Sequence, residues 1–315
     1  MKRKMEVSEL IFKIIAYTFL IIFAVMCLYP LLYSLGAALS EGSKVEAGKV
    51  ILWPAGFSGE SFKYVFTLNR FWISYANTLF VAFIGTLWCM VYTILGGYAL
   101  SKKRLLGRKG WNFFLVFTMW FSAGVVAQYQ NYVNTGRVFA EIATFGSISD
   151  LTQWDSYIDV KWLVIFAMGM NATNIILLRN AFEGVPSEIE EAARIDGATE
   201  LQILWQVYIP MSKATIATVA LFFGISRWNG YYWSYRMMEH QPESWPVQVF
   251  IRDHIESWTA LAGETDTSEQ NWQATSSALG VAYAMVVCAV IPILVIYPFI
   301  QKYFAKGVNM GGVKE

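Results

Sequence analysis

Charged residues are scarce in this sequence of 315 residues. Asp, Glu, Lys and Arg make up only 15% of it, whereas soluble domains carry about a quarter. Hydrophobic residues supply 56%, and the mean hydropathy is +0.42. Because the apolar residues come in long blocks, this composition indicates an integral membrane protein. The net charge of +1 provides no overall positive field that would attract nucleic acid.

Cysteine and histidine are also rare. The three cysteines, Cys27, Cys89 and Cys288, lie inside apolar runs, which favours small buried side chains over a disulfide or a metal site. The two histidines, His240 and His254, are not accompanied by a cluster of other ligand types. The sequence also lacks a G-x-x-x-x-G-K-[ST] phosphate-binding loop. We therefore predict no metal, no cofactor and no enzymatic activity for this chain.

Long apolar runs are what the sequence has in abundance. A helix needs about 20 apolar residues to cross the hydrocarbon core of a bilayer. We predict an all-α integral membrane protein in which residues 1–315 form one transmembrane domain. The basic start MKRK is followed by an apolar run too long for a cleaved signal peptide, so the first helix is expected to be retained. The predicted spans are at about 14–35, 74–100, 111–128, 162–178, 216–233 and 277–299.

The distribution of lysine and arginine sets the predicted orientation. These residues concentrate before the first span, in the 102–109 connection, around the connection between the fourth and fifth spans, and after the last span. Because cytoplasmic connections carry an excess of Lys and Arg, both termini and segment 186–212 are predicted to be cytoplasmic. The protein is expected in a bacterial cell membrane. Segments 36–73, 129–161 and 234–276 are predicted to be extracytoplasmic.

An acidic segment, EEAARIDGATELQILWQVYIP at 190–210, lies on the predicted cytoplasmic side. Ser187 and Glu190 match a capping box, in which the serine caps a helix and the glutamate reaches back to the backbone. The pair Asp196-Gly197 then predicts a tight turn, since glycine tolerates a positive φ. The segment is therefore expected to begin with a short helix that ends at this turn.

A second helix is predicted directly after the turn. Thr199 and Gln202 repeat the capping pattern. An apolar face then follows at helical spacing, comprising Leu201, Leu204, Trp205 and Tyr208. Two capped helices around a fixed turn are more order than a connection requires, so we predict a docking site for a partner protein. The alternative is an ordinary solvated loop.

The segment resembles the EAA loop of ATP-binding-cassette importer permeases, in the form typical of carbohydrate importers. Glu191-Ala192-Ala193 and Asp196-Gly197-Ala198 match the Glu-Ala-Ala and Asp-Gly-Ala of that family, and Ile209-Pro210 stands where the family has Leu-Pro. Residues 97–102 and the tail 297–308 are similar to the maltose-type second permease subunits, in particular to their polysaccharide-lipoprotein-type branch.

The resemblance implies a fold, partners and coupling residues. The fold would be the six-helix type I importer permease, with a cytoplasmic helix-turn-helix as the coupling loop. The partners would be a second, homologous permease subunit, two ATPase subunits that hold ATP and Mg, an extracytoplasmic solute-binding protein and a carbohydrate. Glu191 is expected to contact a basic group of the ATPase. The coupling residues implied are Glu190, Glu191, Ala192, Ala193, Arg194, Asp196, Gly197 and Ala198.

Polar and aromatic side chains inside the predicted spans are candidates for the substrate path, because they are costly or marginal in lipid. Similar permeases carry a Trp-Asn pair at the end of the fifth span. Aromatic faces stack on sugar rings, and amides satisfy hydroxyl groups. The alternative is an interfacial aromatic belt with amides that bridge helices. The candidates are Trp228, Asn229, Tyr232, Trp233, Asn77, Gln128 and Asn171.

Other classes of function stay open at this point. An ion-coupled secondary transporter would favour acidic residues or histidines inside the membrane, and the six predicted spans contain none. A permease for a solute other than a sugar is a second alternative. A membrane scaffold that recruits a cytosolic protein through the acidic segment is a third.

Overall fold

The protein is helical throughout the part of the chain that the structure describes. In the computed structural model, extended backbone within this part pairs only at an isolated bridge between Ser40 and Phe57. The all-α prediction is thus confirmed for these residues. Within these described residues, three helices are long and apolar enough to cross a membrane, or up to five if each bent pair of helices is one span. The described residues are 7–121, 123–146, 155–167, 169–261 and 277–308.

One compact unit comprises Met1–Trp72 and Phe250–Pro292. The Tyr33 ring packs edge-on against Tyr283, with 5.5 Å between the ring centroids, beside buried Ala37. Most large apolar side chains of the first helix are exposed, as a helix that faces lipid requires. The helices that lie wholly within this unit are α1 (Val7–Ala38), α2 (Gly42–Glu46) and α3 (Glu60–Thr67).

The second compact unit comprises Ile73–Val249 and Ile293–Glu315. It contains a π-helical turn at Leu204–Tyr208 and a 3-10 turn at Pro242–Ser244. The other α-helices in the described part of the chain are α4 (Asn69–Ser101), α5 (Arg108–Trp120), α6 (Gly124–Ala143), α7 (Val160–Ala167), α8 (Ala172–Glu183), α9 (Ser187–Ile195), α10 (Glu200–Ile203), α11 (Ile209–Met211), α12 (Lys213–Asn229), α13 (Tyr231–Met237), α14 (Val247–Leu261) and α15 (Ala278–Val308).

The third predicted span, 111–128, is not one straight helix. It falls on α5 and α6, which are bent by 116° relative to each other. Gly124 at the start of α6 has φ +75°, a left-handed conformation that an α-helix cannot continue through. The sequence pattern missed this break because the apolar residues run across it.

The fourth predicted span, 162–178, is interrupted between α7 and α8. Asn171 has an extended backbone (φ −134°, ψ 113°), and its side chain accepts a hydrogen bond from the Asn174 amide, which caps α8. Gly169 lies beside Trp88, where an added Cβ would be in ordinary van der Waals contact with the ring at 3.5 Å. The fifth predicted span, 216–233, follows an 87° bend and is divided at Gly230. Which of these helices cross the membrane stays a prediction.

Buried apolar clusters in the second unit hold the functional elements. One cluster includes Val81, Leu163 and Ile165 and packs α4 and α7 together. Another includes Cys89, Val219 and Phe223 and packs α4 against α12. A further cluster lies under segment 186–212 and comprises Tyr98, Leu178, Phe182, Ile203, Leu204 and Tyr208.

Candidate functional site

The segment 186–212, here called the coupling segment, contains the two short helices that the sequence predicts. The first, α9, ends at Ile195, and Gly197 adopts φ +80° in the turn that follows. The turn is closed by backbone bonds from Gly197 N to Arg194 O and from Ala198 N to Ala193 O, each 3.0 Å long. Only glycine takes that φ without strain, so this residue fixes the shape of the turn.

The two predicted caps have different outcomes. At α10, Thr199 and Gln202 form the predicted capping box, and this prediction is confirmed. At α9 the predicted box of Ser187 with Glu190 is wrong, because the helix starts at Ser187 and Pro186 takes the N-cap position without a side-chain bond. The physical reason is that the Glu190 carboxylate is occupied by other side chains.

Those side chains form an arrangement that we call the lysine clamp, comprising Lys102, Glu190, Tyr98 and Tyr208. Lys102 Nζ lies 2.8 Å from Glu190 Oε2, and the lysine side chain is only 9% exposed. The same ammonium lies 4.1 Å from the ring centroid of Tyr98 and 3.8 Å from that of Tyr208. The Tyr208 hydroxyl donates to the Glu190 carboxylate. The clamp therefore joins the end of α4 to α9 and to the π-helical turn.

The surrounding charges support the clamp. Arg194 Nη2 lies 2.6 Å from Glu190 Oε1 and 3.1 Å from Glu200 Oε1, so this arginine pairs within the coupling segment. Arg104 Nη2 lies 2.5 Å from Glu200 Oε1. Two cations from the 102–109 connection are thus each bound to a carboxylate of the coupling segment, and the connection and the segment form one electrostatic network.

The clamp keeps Glu190 ionised. Burial opposes ionisation of this carboxyl, but the hydrogen bonds from Lys102 and Tyr208 and the charges of Lys102 and Arg194 outweigh burial and lower its pKa to about 2. Burial lowers the pKa of the Lys102 ammonium, and the Glu190 carboxylate opposes that change. The Glu190 carboxyl is therefore ionised at neutral pH, and each charged partner would be costly to bury without the other.

The coupling segment also exposes large apolar side chains. Ile195 is 86% exposed, Leu201 63% and Trp205 66%. Leu204 and Tyr208 are buried, so the apolar residues that were predicted to share one face divide between two. The predicted coupling residues divide likewise. Ala193, Ala198 and Glu190 face inward, and the exposed ones are Glu191, Ala192, Arg194, Asp196 and Gly197.

Two of the predicted path residues, Asn171 and Trp233, line one cavity of about 520 Å³. Trp233 contacts Tyr132 edge-on, with 4.9 Å between the ring centroids. The cavity also contains Arg227, the first residue of the stretch 227–233 that closes the fifth predicted span and supplies most of the path candidates. A cation within an apolar span is itself a signal of function, and this signal was available in the sequence.

The other predicted path residues do not line this cavity. The Asn77 amide donates to the Glu243 carbonyl (2.7 Å) and the Trp245 carbonyl (3.3 Å) and accepts from Lys161 Nζ (3.1 Å). Trp228 is buried and packs edge-on against Tyr75 with 6.0 Å between the ring centroids. Elsewhere, Asn229 and Tyr232 are exposed and Gln128 is half-buried.

No group of three or more His, Cys, Asp or Glu residues that could hold a metal ion occurs among the described residues. His240 lies against Asp155, with 2.9 Å between Nδ1 and Oδ2. Of the three cysteines, Cys27 is exposed and Cys89 and Cys288 are buried thiols. The groups that the described site offers are aromatic, amide and charged side chains, which can bind a ligand or a partner protein.

Comparison with known proteins relates this architecture to transport. Residues 6–310 match the family described as binding-protein-dependent transport system inner membrane component. The polygalacturonan/rhamnogalacturonan transport system permease protein YtcP of Bacillus subtilis (strain 168) is 34% identical over 304 residues, which cover 96% of this chain and 98% of that protein. Protein LplC of the same organism is 30% identical over 286 residues, covering 90% and 88%.

A solved structure is also similar. It is a bacterial ABC transporter involved in the import of the acidic polysaccharide alginate, and the matching chain is 35% identical to this one with a TM-score of 0.79. The match covers 96% of this chain and 100% of that chain.

Proposed function

The chain belongs to the family of binding-protein-dependent transport system inner membrane components, and from this premise we propose that it is a permease subunit of an ATP-driven carbohydrate importer. It would cross the bacterial cell membrane six times, with both termini in the cytoplasm, and form the substrate path with a second, homologous permease. The family and the similarity of relatives named for polygalacturonan, rhamnogalacturonan and alginate support this proposal.

The energy for transport would come from two separate ATPase subunits that bind ATP and Mg. This chain has no phosphate-binding loop of the G-x-x-x-x-G-K-[ST] type, so its part is to transmit movement. An extracytoplasmic solute-binding protein would deliver the sugar to the 234–276 side. The ion-coupled alternative would need titratable groups in the spans, and the only charged residue in the six predicted spans is Arg227.

One observation carries the coupling role: the coupling segment is clamped to α4 on one face and exposes apolar side chains on the other. Lys102 and Glu190 supply the attachment at 2.8 Å. Ile195, Leu201 and Trp205 are exposed, and an exposed apolar patch marks a protein contact. A partner that binds this patch would move α9 and the end of α4 together, because the clamp joins them.

Site-directed crosslinking tests this role. A benzophenone maleimide is attached to a cysteine at Ile195 or Leu201 in a Cys27→Ala background, where the two other native thiols are buried. We expect the ATPase to be captured from both positions in the assembled complex. A cysteine at Trp53, which is 80% exposed in the predicted extracytoplasmic segment 36–73, is the control and should not capture it. Equal capture from Trp53, or none from the coupling segment, would refute the coupling role.

Uptake measurements separate the remaining alternatives. Proteoliposomes with the complete complex should accumulate oligosaccharide only when ATP is enclosed with the ATPase subunits. Uptake driven by an ion gradient without ATP would indicate a secondary transporter, and ATP-dependent uptake of another solute class would retain the importer but reject the sugar. The double variant Glu191→Lys/Gly197→Pro is expected to insert normally and to lose ATP-coupled uptake.

A further inference from the structure

The 102–109 connection between α4 and α5 has more positive charge than its ion pairs neutralise. It carries five cations and no acid. Three of these cations bind glutamates elsewhere in the chain, and they are Lys102, Arg104 and Arg108. Lys103 and Lys109 are exposed, and within the described residues neither has a carboxylate partner. Lys109 also lies in the first turn of α5, where the helix dipole disfavours a positive charge. An anion from outside the chain would therefore be bound favourably here.

An open cavity of about 590 Å³ lies beside this connection. Its volume is within the range of about 300–1,000 Å³ that is usual for ligand pockets. In the described part of the chain, five cations and three carboxylates line it, so positive charge is in excess. Four of the cations belong to the 102–109 connection, among them the unpaired Lys103. The cavity can therefore accommodate an anionic group at the connection.

The same connection exposes an apolar side chain at its turn. Leu106 is 93% exposed. The backbone holds it in this position, because Arg108 N donates to the Leu105 carbonyl at 3.3 Å and Gly107 adopts φ +72°. The exposed Trp111 lies beside the turn, since a Cβ added at Gly107 would be 3.8 Å from its indole nitrogen. Tryptophan next to cations is typical of the membrane interface. Orientation of the chain requires only the cations, so it does not account for the exposed leucine.

We propose that the 102–109 connection binds an anionic phospholipid of the inner leaflet, with Lys103 and Lys109 at the headgroup and Leu106 at the acyl chains. The connection directly follows α4, which is long and apolar enough to cross a membrane, so it lies where that helix leaves the bilayer. A lipid supplies both the phosphate and the apolar chains, whereas a soluble anion supplies only the charge. This inference goes beyond the proposed importer function and depends on it only for the choice of leaflet.

Quenching by labelled lipids tests the proposal. Gly110 is exposed next to Lys109 with open space around it, so a cysteine there can carry an NBD fluorophore without displacing the connection. The background is Cys27→Ala, in which the two other native thiols are buried. The permease pair, with no reactive cysteine in the second subunit, is placed in phosphatidylcholine nanodiscs. These contain, at equal mole fraction, either phosphatidylglycerol or phosphatidylcholine with the same nitroxide on its acyl chain. We expect the labelled phosphatidylglycerol to quench about three times as strongly or more.

Charge variants identify the headgroup contact. Lys103→Gln and Lys109→Gln each remove one unpaired cation, and Lys213→Gln removes one from the exposed start of α12 as the matched control. We expect each of the first two to reduce the preference for phosphatidylglycerol to about half or less, because a lysine near an anionic surface attracts it individually. The double variant Lys103→Gln/Lys109→Gln should abolish the preference, and Lys213→Gln should leave it unchanged.

A further variant tests the apolar contact. Leu106→Ser keeps every charge of the connection and removes the side chain that is proposed to reach the acyl chains. We expect it to weaken quenching by the labelled phosphatidylglycerol about twofold or more. Unchanged quenching in this variant would refute the acyl-chain contact and with it the choice of a lipid.

Other outcomes would assign the connection to a different ligand or to none. Equal quenching by the two labelled lipids, or a preference that survives in the double variant, would overturn the proposal. Displacement of the labelled lipid by inorganic phosphate at constant ionic strength would indicate a soluble anion, and loss of quenching on addition of the ATPase subunits would indicate that partner; either would also overturn it. None of these measurements involves transport, so failure of ATP-dependent uptake would reject the proposed function and leave the lipid site intact.

Discussion

Replacing Glu190 by glutamine should loosen the coupling segment while leaving the membrane helices folded. The substitution keeps the size and a hydrogen-bonding oxygen but removes the negative charge next to Lys102. The lysine side chain is 9% exposed and the glutamate side chain 16% exposed. Solvent therefore compensates little of the charge that is left on Lys102, which then depends on the two tyrosine rings, the glutamine oxygen and the charge of Glu200.

The magnitude follows from the pKa of Glu190. The clamp lowers that pKa from 4.5 to about 2, and a shift of this size corresponds to about 3 kcal/mol between the charged and neutral carboxyl. Because glutamine keeps a partner for Tyr208, we expect a cost of about 2 to 3 kcal/mol, at the lower end of what breaking a buried ion pair costs. Opening of α9 should then become about 30- to 150-fold more frequent.

The same shift sets the pH dependence. The folded-state pKa of Glu190 is lower than the unfolded-state value, so its contribution to stability is complete above about pH 4.5. It should be lost as the pH falls from about 4.5 to about 2, as protonation breaks the pair with Lys102. In the glutamine variant this part of the acid dependence should be absent.

Hydrogen exchange measures the effect directly. The amides of Asp196, Gly197 and Ala198 are bonded to carbonyls of α9 and report its opening. Glu188→Gln is the matched control, since Glu188 lies exposed on the same helix and should leave exchange unchanged. Adding Lys102→Met to Glu190→Gln removes the stranded cation and should recover part of the protection.

Two results would refute this reasoning. Exchange in Glu190→Gln that matches the unmodified protein would show that the clamp does not hold α9. An effect of Lys102→Met that simply adds to that of Glu190→Gln would show that the two side chains act independently despite the 2.8 Å contact.

Two further predictions concern single residues. Gly197→Ala places a Cβ at φ +80° and should cost about 1 kcal/mol of folding stability, measured as a lower unfolding temperature in detergent. The control Gly110→Ala, in open space on α5, should not lower the unfolding temperature. Equal unfolding temperatures of the two variants would contradict the strain argument. Asn77→Ala removes the amide that binds the Glu243 and Trp245 carbonyls and should cost about 2 kcal/mol of folding stability, with little change in uptake per folded complex. A large loss of uptake at normal stability would instead make Asn77 a substrate contact.

Much of the coupling segment could be predicted because its signals are local. The Thr199–Gln202 capping box and the glycine turn at Gly197 depend on residues only a few positions apart, and both occur as expected. The cap at Ser187 failed because Glu190 is held by Lys102, 88 positions earlier in the chain. Pairings over such distances depend on the tertiary fold, and neither spacing nor propensity indicates them.

The breaks within the apolar runs also could not be predicted from the sequence. Hydropathy depends only on composition, so it does not detect the left-handed backbone of Gly124 or the extended backbone of Asn171 within an apolar stretch. The cavity at Arg227 depends on the second of these breaks, because Met170 and Asn171 line it. Arg227 itself was visible as a cation in a span, and its neutral partners Val164 and Cys89 were not, since they come from other helices.

The π-helical turn at Leu204–Tyr208 has a consequence for how the gene can change. A π-turn holds one residue more than the α-helical turn from which it derives, and Pro210, the second residue after it, has no N–H to donate to the preceding turn. Loss of a single codon within this turn would return it to an α-helical turn and leave the orientation of the flanking segments nearly unchanged. Deletions of one residue that spare the buried Leu204 and Tyr208 should therefore be tolerated better here than in α12, where a missing residue rotates the side chains before it by about 100° relative to those after it.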